Sequence, residues 1–367
     1  MASAKHSGMV CPDSALPRKQ ARYLLKPLLA GVSRSFYLSI RVLPPAVGRP
    51  VAVAYLLARA ADSIADTEVV PRSDRATRLA DFRRAIHLRD PALLEQVCGG
   101  AGERGVRFVK EQKLLAASAD ILRLLNSQPL PDQQHITEVV DILIGAMEQD
   151  LQYFAAAASG QVVGFRDEEQ LDDYIYRIAG CVGAFWTRLL AAHCRPLRHW
   201  PVRRQIERGI RFGKALQLTN ILRDVGQDLQ LGRCYLPETS LRDHALAPEN
   251  LLTGQRQRRL ALRDRWLAQT AALFEDAEAY LLSLPRRCVR LRAAAFYPIA
   301  IGLKTLGLLS HDNDWPANPV PNKVDRRWVY QTLWRSAPVM GSNNALQRML
   351  AQWRAQIHSP SGSGNLP

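Results

Sequence analysis

The stretch Val51–Thr67 reads VAVAYLLARAADSIADT, and its first eleven residues are apolar on nearly every side, broken only by Arg59. A run of that kind marks a helix buried on most of its surface rather than a surface helix or an alternating strand. Asp62 and Asp66 close the run, four residues apart and therefore on one face. Like charges at that spacing destabilise an isolated helix by about 0.2–0.5 kcal/mol, and taking an unpaired carboxylate out of water costs several kcal/mol more. Arg59, one turn earlier, supplies one positive charge for two carboxylates, so a further cation is expected opposite them.

A second stretch, Gly213–Pro237, reads GKALQLTNILRDVGQDLQLGRCYLP. Gln217, Asn220, Asp224 and Asp228 follow steps of three, four and four, which puts two amides and two carboxylates along one helical stripe. Leu216, Leu218, Ile221, Leu222 and Val225 fill much of the remaining surface, so this helix also reads as mostly buried. Two apolar helices thus each carry an Asp-x-x-x-Asp pair. Facing one another across a cavity, the pairs would make an oxygen-lined site for Mg²⁺, which keeps several waters and binds through one or two carboxylates plus substrate phosphates. Arg59 beside the first pair, and Arg223 and Arg233 beside the second, suit the anionic groups of a diphosphate. A di-iron site calls for Glu-x-x-His on bundle helices, and neither helix has one.

Outward from these segments the pattern stays helical, with proline and glycine gathered between long periodic runs. Helices are expected over 22–42, 47–66, 75–88, 106–127, 133–158, 168–195, 202–230, 256–283, 286–310 and 326–357, so the fold class is all-α. Residues 1–21 read as a polar lead without a secretory apolar stretch, 22–357 as one large helical domain, and 358–367 as a disordered tail. The apolar stretch Ala293–Leu309 contains Pro298 and Lys304 and reads as a buried core helix rather than a membrane span. Gly100, Gly102 and Gly105 match G-x-G-x-x-G in form only, since no strand precedes them and no βαβ pattern surrounds them.

Of the 367 residues, 47% are hydrophobic, which is too apolar for a disordered chain. The six cysteines form no C-x-x-C pair and read as reduced thiols of a cytoplasmic protein. A net charge of +15 allows nucleic acid, an anionic membrane surface or a small polyanionic substrate as partner. Nucleic acid is not expected, because aromatics do not alternate with the basic residues. Peripheral contact with an anionic membrane is expected to remain open to a chain that is otherwise monomeric.

Ser33-Arg34-Ser35-Phe36, Tyr55-x-x-x-Arg59-x-x-Asp62-x-x-x-Asp66, Tyr174-x-x-x-x-Ala179-Gly180-x-Val182-Gly183 and the run from Gln217 to Pro237 together resemble the squalene/phytoene synthase family. The resemblance implies the isoprenoid-synthase fold, a single helical domain around a central cavity, Mg²⁺ dependence and head-to-head condensation of two prenyl diphosphates. It implies Asp62, Asp66, Asp224 and Asp228 as Mg²⁺ ligands. Ser33, Arg34, Ser35, Phe36, Tyr55, Arg59, Gln217, Asn220, Arg223, Arg233 and Tyr235 are its implied substrate-binding set. Tyr174 takes the position of the family's tyrosine that steers proton loss in the first half-reaction, with Tyr176 as its competitor.

Within the family, Tyr-Ile-Tyr-Arg-Ile-Ala-Gly at 174–180 and Phe296-Tyr297-Pro298 look most like a squalene synthase using farnesyl diphosphate and NADPH. Phytoene or dehydrosqualene synthesis without NADPH, arrest at presqualene diphosphate, and a catalytically dead assembly factor are the competing readings. The four retained aspartates argue against the last of these.

Overall fold

The computed structural model describes residues 16–33, 36–66, 70–99, 109–318 and 322–357, without the side chains of Asp66, Arg72, Ala158 and Ser159. Arg34, Ser35 and the Gly100–Gly105 loop lie outside the described residues. The helices in chain order are α1 (Arg18–Tyr23), α2 (Leu29–Val32), α3 (Phe36–Val42), α4 (Pro45–Asp66), α5 (Arg75–Leu88), α6 (Pro91–Cys98), α7 (Val109–Ala116), α8 (Ser118–Asn126) and α9 (Leu130–Tyr153). They continue as α10 (Glu168–Ile175), α11 (Cys181–His193), α12 (Val202–Gln230), α13 (Glu238–Asp243), α14 (Arg256–Ser283), α15 (Val289–Ser310), α16 (Arg326–Ser336) and α17 (Asn343–Ala355). Two short strands, β1 (Val163–Phe165) and β2 (Arg233–Pro237), pair in parallel with Val163 opposite Arg233 and an irregularity between Gly164 and Phe165.

Several helices expected as continuous are broken, each for a local reason. The helix expected over 22–42 starts at Arg18, passes through a π-helical turn at Leu24–Leu28 and gives way to α3 at Phe36. Pro27 lies inside that turn, where its missing N–H removes one bond of the regular ladder. A second π-helical turn, Tyr176–Gly180, separates α10 from α11. The expected 326–357 helix is interrupted after Ser336, and α17 restarts where the Ser342 hydroxyl accepts from the Ala345 N–H. At the start of α6, Asp90 accepts from the N–H groups of Ala92 and Leu93, with Pro91 in the first helical position.

The chain divides into two compact units, Met1–Arg34 with Ala52–Thr137, and Ser35–Val51 with Glu138–Pro367; residues 22–357 fall in both. In the first unit, Leu56, Leu57, Ala60, Ala61 and Ile64 of α4 are all buried, as are Leu79, Phe82 and Ile86 of α5 and Ile121, Leu122 and Leu125 of α8. The apolar reading of α4 is thereby realised on almost every side.

In the second unit, α12 is packed by α11, α14 and α15. Its approach to the chain before and within α11 is set by glycine. A Cβ on Gly183 would lie 1.8 Å from the Gly209 carbonyl oxygen, and one on Gly213 would lie 2.2 Å from the Ala179 oxygen. The Ala179-Gly180-x-Val182-Gly183 motif is therefore one side of a close backbone crossing. α15 is long and apolar enough to cross a membrane, with a mean hydropathy of 1.4, yet 72% of that stretch is buried inside the protein. Within it, Arg292 is fully buried and donates to the Met340 and Leu284 carbonyls and to Asn343 Oδ1.

Candidate active site

In the first unit, α4 positions Tyr55, Arg59 and Asp62. The Arg59 guanidinium pairs with Asp62 one turn on and reaches Glu111 Oε1 of α7 at 3.4 Å. The Tyr55 hydroxyl donates to the Val32 carbonyl at 3.2 Å, and the buried Ser33 hydroxyl donates to the Leu29 carbonyl. Tyr55 therefore ties α4 to the end of α2, while Ser33 bonds back within that helix end. Asp66 is the last residue of α4, and its side chain is outside the described set. Glu111 was not singled out from the sequence; it sits in a short helix with no acidic repeat, so spacing could not flag it.

In the second unit, Gln217, Asn220, Arg223, Asp224 and Asp228 share α12 and are all partly exposed. Arg223 Nε donates to Oδ1 of its neighbour Asp224 at 2.8 Å. The same Arg223 and Asn220 line a cavity of about 130 Å³ with Phe36, Ser39, Leu216, Tyr297, Pro298 and Ile301. Phe36 of α3 and Tyr297 and Pro298 of α15 are thus wall residues of one cavity with Asn220 and Arg223.

A polar and aromatic layer adjoins the end of α12. β2 carries Arg233 and Tyr235, and both meet Asp150 of α9, Arg233 through Nη1 and Tyr235 through its hydroxyl, each at 3.3 Å. The Tyr174 ring stacks on Tyr235, with centroids 5.1 Å apart and planes 21° apart, and meets Phe165 edge-on at 5.2 Å. Burial pushes the Tyr235 phenol up, Asp150 and Asp228 add to the shift, and Arg233 and a hydrogen bond with Tyr174 oppose it. Tyr176 points elsewhere: its ring lies under the Lys214 ammonium, 5.9 Å from the centroid. Tyr174 and not Tyr176 therefore belongs to this layer. The helical reading of the 133–158 segment did not single out Asp150, because its partners arrive from a strand more than eighty residues away.

α4 ends at Asp66 and α12 at Gln230, so Asp66 and Asp228 stand in the last turns of their helices with Asp62 and Asp224 about a turn before them, and neither last turn carries a basic residue. Exposed carbonyls make that end of a helix negative, and carboxylates there are disfavoured by about 0.3–1 kcal/mol each. The side chains of Asp62 and Asp224 are 32% and 26% exposed, open enough to meet a ligand. Among the described residues no three His, Cys, Asp or Glu side chains gather into a metal-binding group. Asp224 and Asp228, four residues apart on α12, thus offer a divalent ion two carboxylates, a donor set that fits Mg²⁺ when water and phosphate oxygens complete the shell.

The architecture is that of the all-α isoprenoid synthases. TcSQS, solved in complex with a ligand, superposes on 94% of this chain and 94% of its own with a TM-score of 0.75 and 19% identity. The squalene/phytoene synthase family model matches residues 29–329, and the chain belongs to that family. It is 30% identical over 208 residues to a 15-cis-phytoene synthase of Enterobacter agglomerans, covering 54% of this chain and 65% of the relative. It is 31% identical over 214 residues to the presqualene diphosphate synthase of Zymomonas mobilis, covering 57% and 58%. In both cases the match spans less than two thirds of the relative's own length.

Proposed function

We propose that this protein is a prenyltransferase that condenses two prenyl diphosphates head to head, and that it acts as a cytoplasmic squalene synthase on farnesyl diphosphate with NADPH as hydride donor. The observation that carries the reading is the cavity beside α12, which joins Asn220 and Arg223 to the apolar walls of Leu216, Phe36, Tyr297, Pro298 and Ile301. A prenyl diphosphate has the same division, an anionic head on a hydrocarbon chain.

Asp224 and Asp228 in one unit, and Asp62 and Asp66 in the other, are the residues that would hold Mg²⁺. Bound there, Mg²⁺ would supply the positive charge that neutralises the diphosphate and makes it a better leaving group. Arg223 and Arg233 suit the phosphate oxygens, since a planar guanidinium can bind two of them at once. As the C–O bond of the first substrate breaks, the apolar walls keep water from the allylic cation. The second substrate's double bond attacks that carbon, and loss of a proton closes a cyclopropane. Tyr174, which stacks on a Tyr235 that burial keeps protonated, would steer that proton. The cyclopropylcarbinyl diphosphate would then lose its own diphosphate, the resulting cation would rearrange with opening of the three-membered ring, and NADPH, if bound, would supply the hydride that gives squalene.

Sequence likeness to the Enterobacter enzyme favours a second reading, phytoene synthesis from a C20 substrate without NADPH. Purified protein with Mg²⁺ and either farnesyl or geranylgeranyl diphosphate, with and without NADPH, separates the readings by product. Squalene that forms only with NADPH supports the proposal. Phytoene from the C20 substrate, indifferent to NADPH, overturns it, as does presqualene diphosphate that accumulates with NADPH present.

A further inference from the structure

α16 has the sequence RRWVYQTLWRS, and its two sides are built for different surroundings. On the inner side Thr332 and Ser336 are buried, and the Trp328 ring meets Trp353 of α17 edge-on at 5.3 Å. Val329 lines the cavity described above, and Ser336 hydrogen-bonds the Tyr297 phenol of that cavity's wall. On the outer side Tyr330 is 59% exposed and Trp334 81% exposed. They are one turn apart and share a face. Arg326 extends the same stripe one turn earlier, and Arg327 and Arg335 flank it, all three exposed. Among the described residues these five side chains have no hydrogen-bond or ion-pair partner.

The charge around this helix is mainly positive, with Asp325 before Arg326 and with Arg354 paired to Glu275 and Glu278 of α14. Residues 322–357 hold six Lys and Arg against the single Asp325, a net +5 of the chain's +15. Arg286 and Arg287, also exposed, add to the patch, since the Arg286 carbonyl comes within 3.8 Å of a Cβ placed on Gly341, in the turn beyond α16. An indole left in water forfeits the free energy of burying its apolar surface, and clustered guanidiniums repel one another until anions arrive. Amphipathic rings at headgroup depth with arginine beside them are the anchors of interfacial helices. Two rings present roughly 300–500 Å², short of the roughly 800 Å² per partner of a stable protein interface.

We infer that α16 docks this protein on an anionic bilayer, with Tyr330 and Trp334 in the headgroup layer and Arg326, Arg327 and Arg335 on lipid phosphates. The docked helix brings the cavity that Val329 lines to the membrane surface, where an apolar chain can pass between protein and lipid. This inference does not depend on which prenyl substrate is used.

The test is flotation of the full chain with vesicles of phosphatidylcholine alone or mixed with phosphatidylglycerol. Binding is expected on the mixed vesicles, weakening as salt is raised. It is expected to fall about tenfold in the Tyr330→Ala, Trp334→Ala double variant and about fivefold for each of Arg326, Arg327 and Arg335 changed to Gln. Thermal melting of every variant should match the parent, and the blue shift of tryptophan emission on vesicles should be lost with Trp334→Ala. Failure of the parent chain to float with anionic vesicles overturns the inference. So does a double variant that floats as well as the parent, or a concentration-dependent dimer, without vesicle binding, that the double variant abolishes.

Discussion

At the end of α4, Arg59 is shared between Asp62 and Glu111, whereas in α12 Arg223 bonds its neighbour Asp224 and also lines an apolar cavity. The same Asp-x-x-x-Asp spacing therefore sits in two electrostatic settings. Around α4 the carboxylates outnumber the nearby guanidinium, and an added cation has the larger imbalance to correct. Around α12 the positive charge is divided between Arg223, paired with Asp224, and Arg233, paired with Asp150. One motif thus stands in two charge settings, and its neighbours set the difference.

The strongest way to break that comparison is to neutralise each pair in turn. Asp62→Asn and Asp224→Asn are each expected to lower turnover by about a thousandfold with the far-ultraviolet circular dichroism unchanged. Chelation with EDTA should do the same to the parent protein. Retained activity in either variant removes that helix from the metal site.

Next in size is the layer that only α12 possesses. Asp150→Asn weakens the bonds from Arg233 and Tyr235 and is expected to lower kcat by about ten- to a hundredfold with a smaller change in KM. Steady-state kinetics separates this from unfolding, which would remove active enzyme without altering KM. Tyr174→Phe should slow the first half-reaction, while Tyr176→Phe, beside Lys214, should leave it near the parent rate.

Smaller still is the effect of the close crossing that sets α12 in place. Gly213→Ala puts a Cβ 2.2 Å from the Ala179 oxygen and is expected to destabilise the fold by about 2–3 kcal/mol, read as a lower Tm. An unchanged Tm would mean that the crossing can open without cost.

The smallest expected effect concerns the thiols. Burial pushes Cys98 up to about 11 and Cys181 and Cys234 up to about 12. A raised pKa leaves a neutral, unreactive thiol at pH 8, so among the described cysteines the part-exposed Cys288 should react first with a disulfide reagent. The slow thiols should speed up about tenfold per pH unit until their pKa is reached.

Much of this was legible in sequence because it is periodic. The apolar runs of α4 and α12 follow the helical repeat, the aspartates keep a spacing of four, and the all-α class follows from the same repeats over most of the chain. What escaped the periodic reading was local or distant. Pro27 lies in a π-helical turn inside one expected helix, and β2 was hidden because five residues are too few to show alternation. Glu111 and Asp150 carry no pattern at all; they matter only through residues far along the chain.

By itself the sequence determined which elements form, which faces are apolar and where paired carboxylates fall, since these depend on residues within a turn or two of each other. Only the tertiary structure decided that Tyr174 rather than Tyr176 joins Tyr235, that Asp150 braces Arg233, and that Trp334 faces water while Trp328 packs on Trp353. Such choices depend on which surfaces meet after the helices cross, and the crossing is set by glycines whose role appears only when another backbone lies against them.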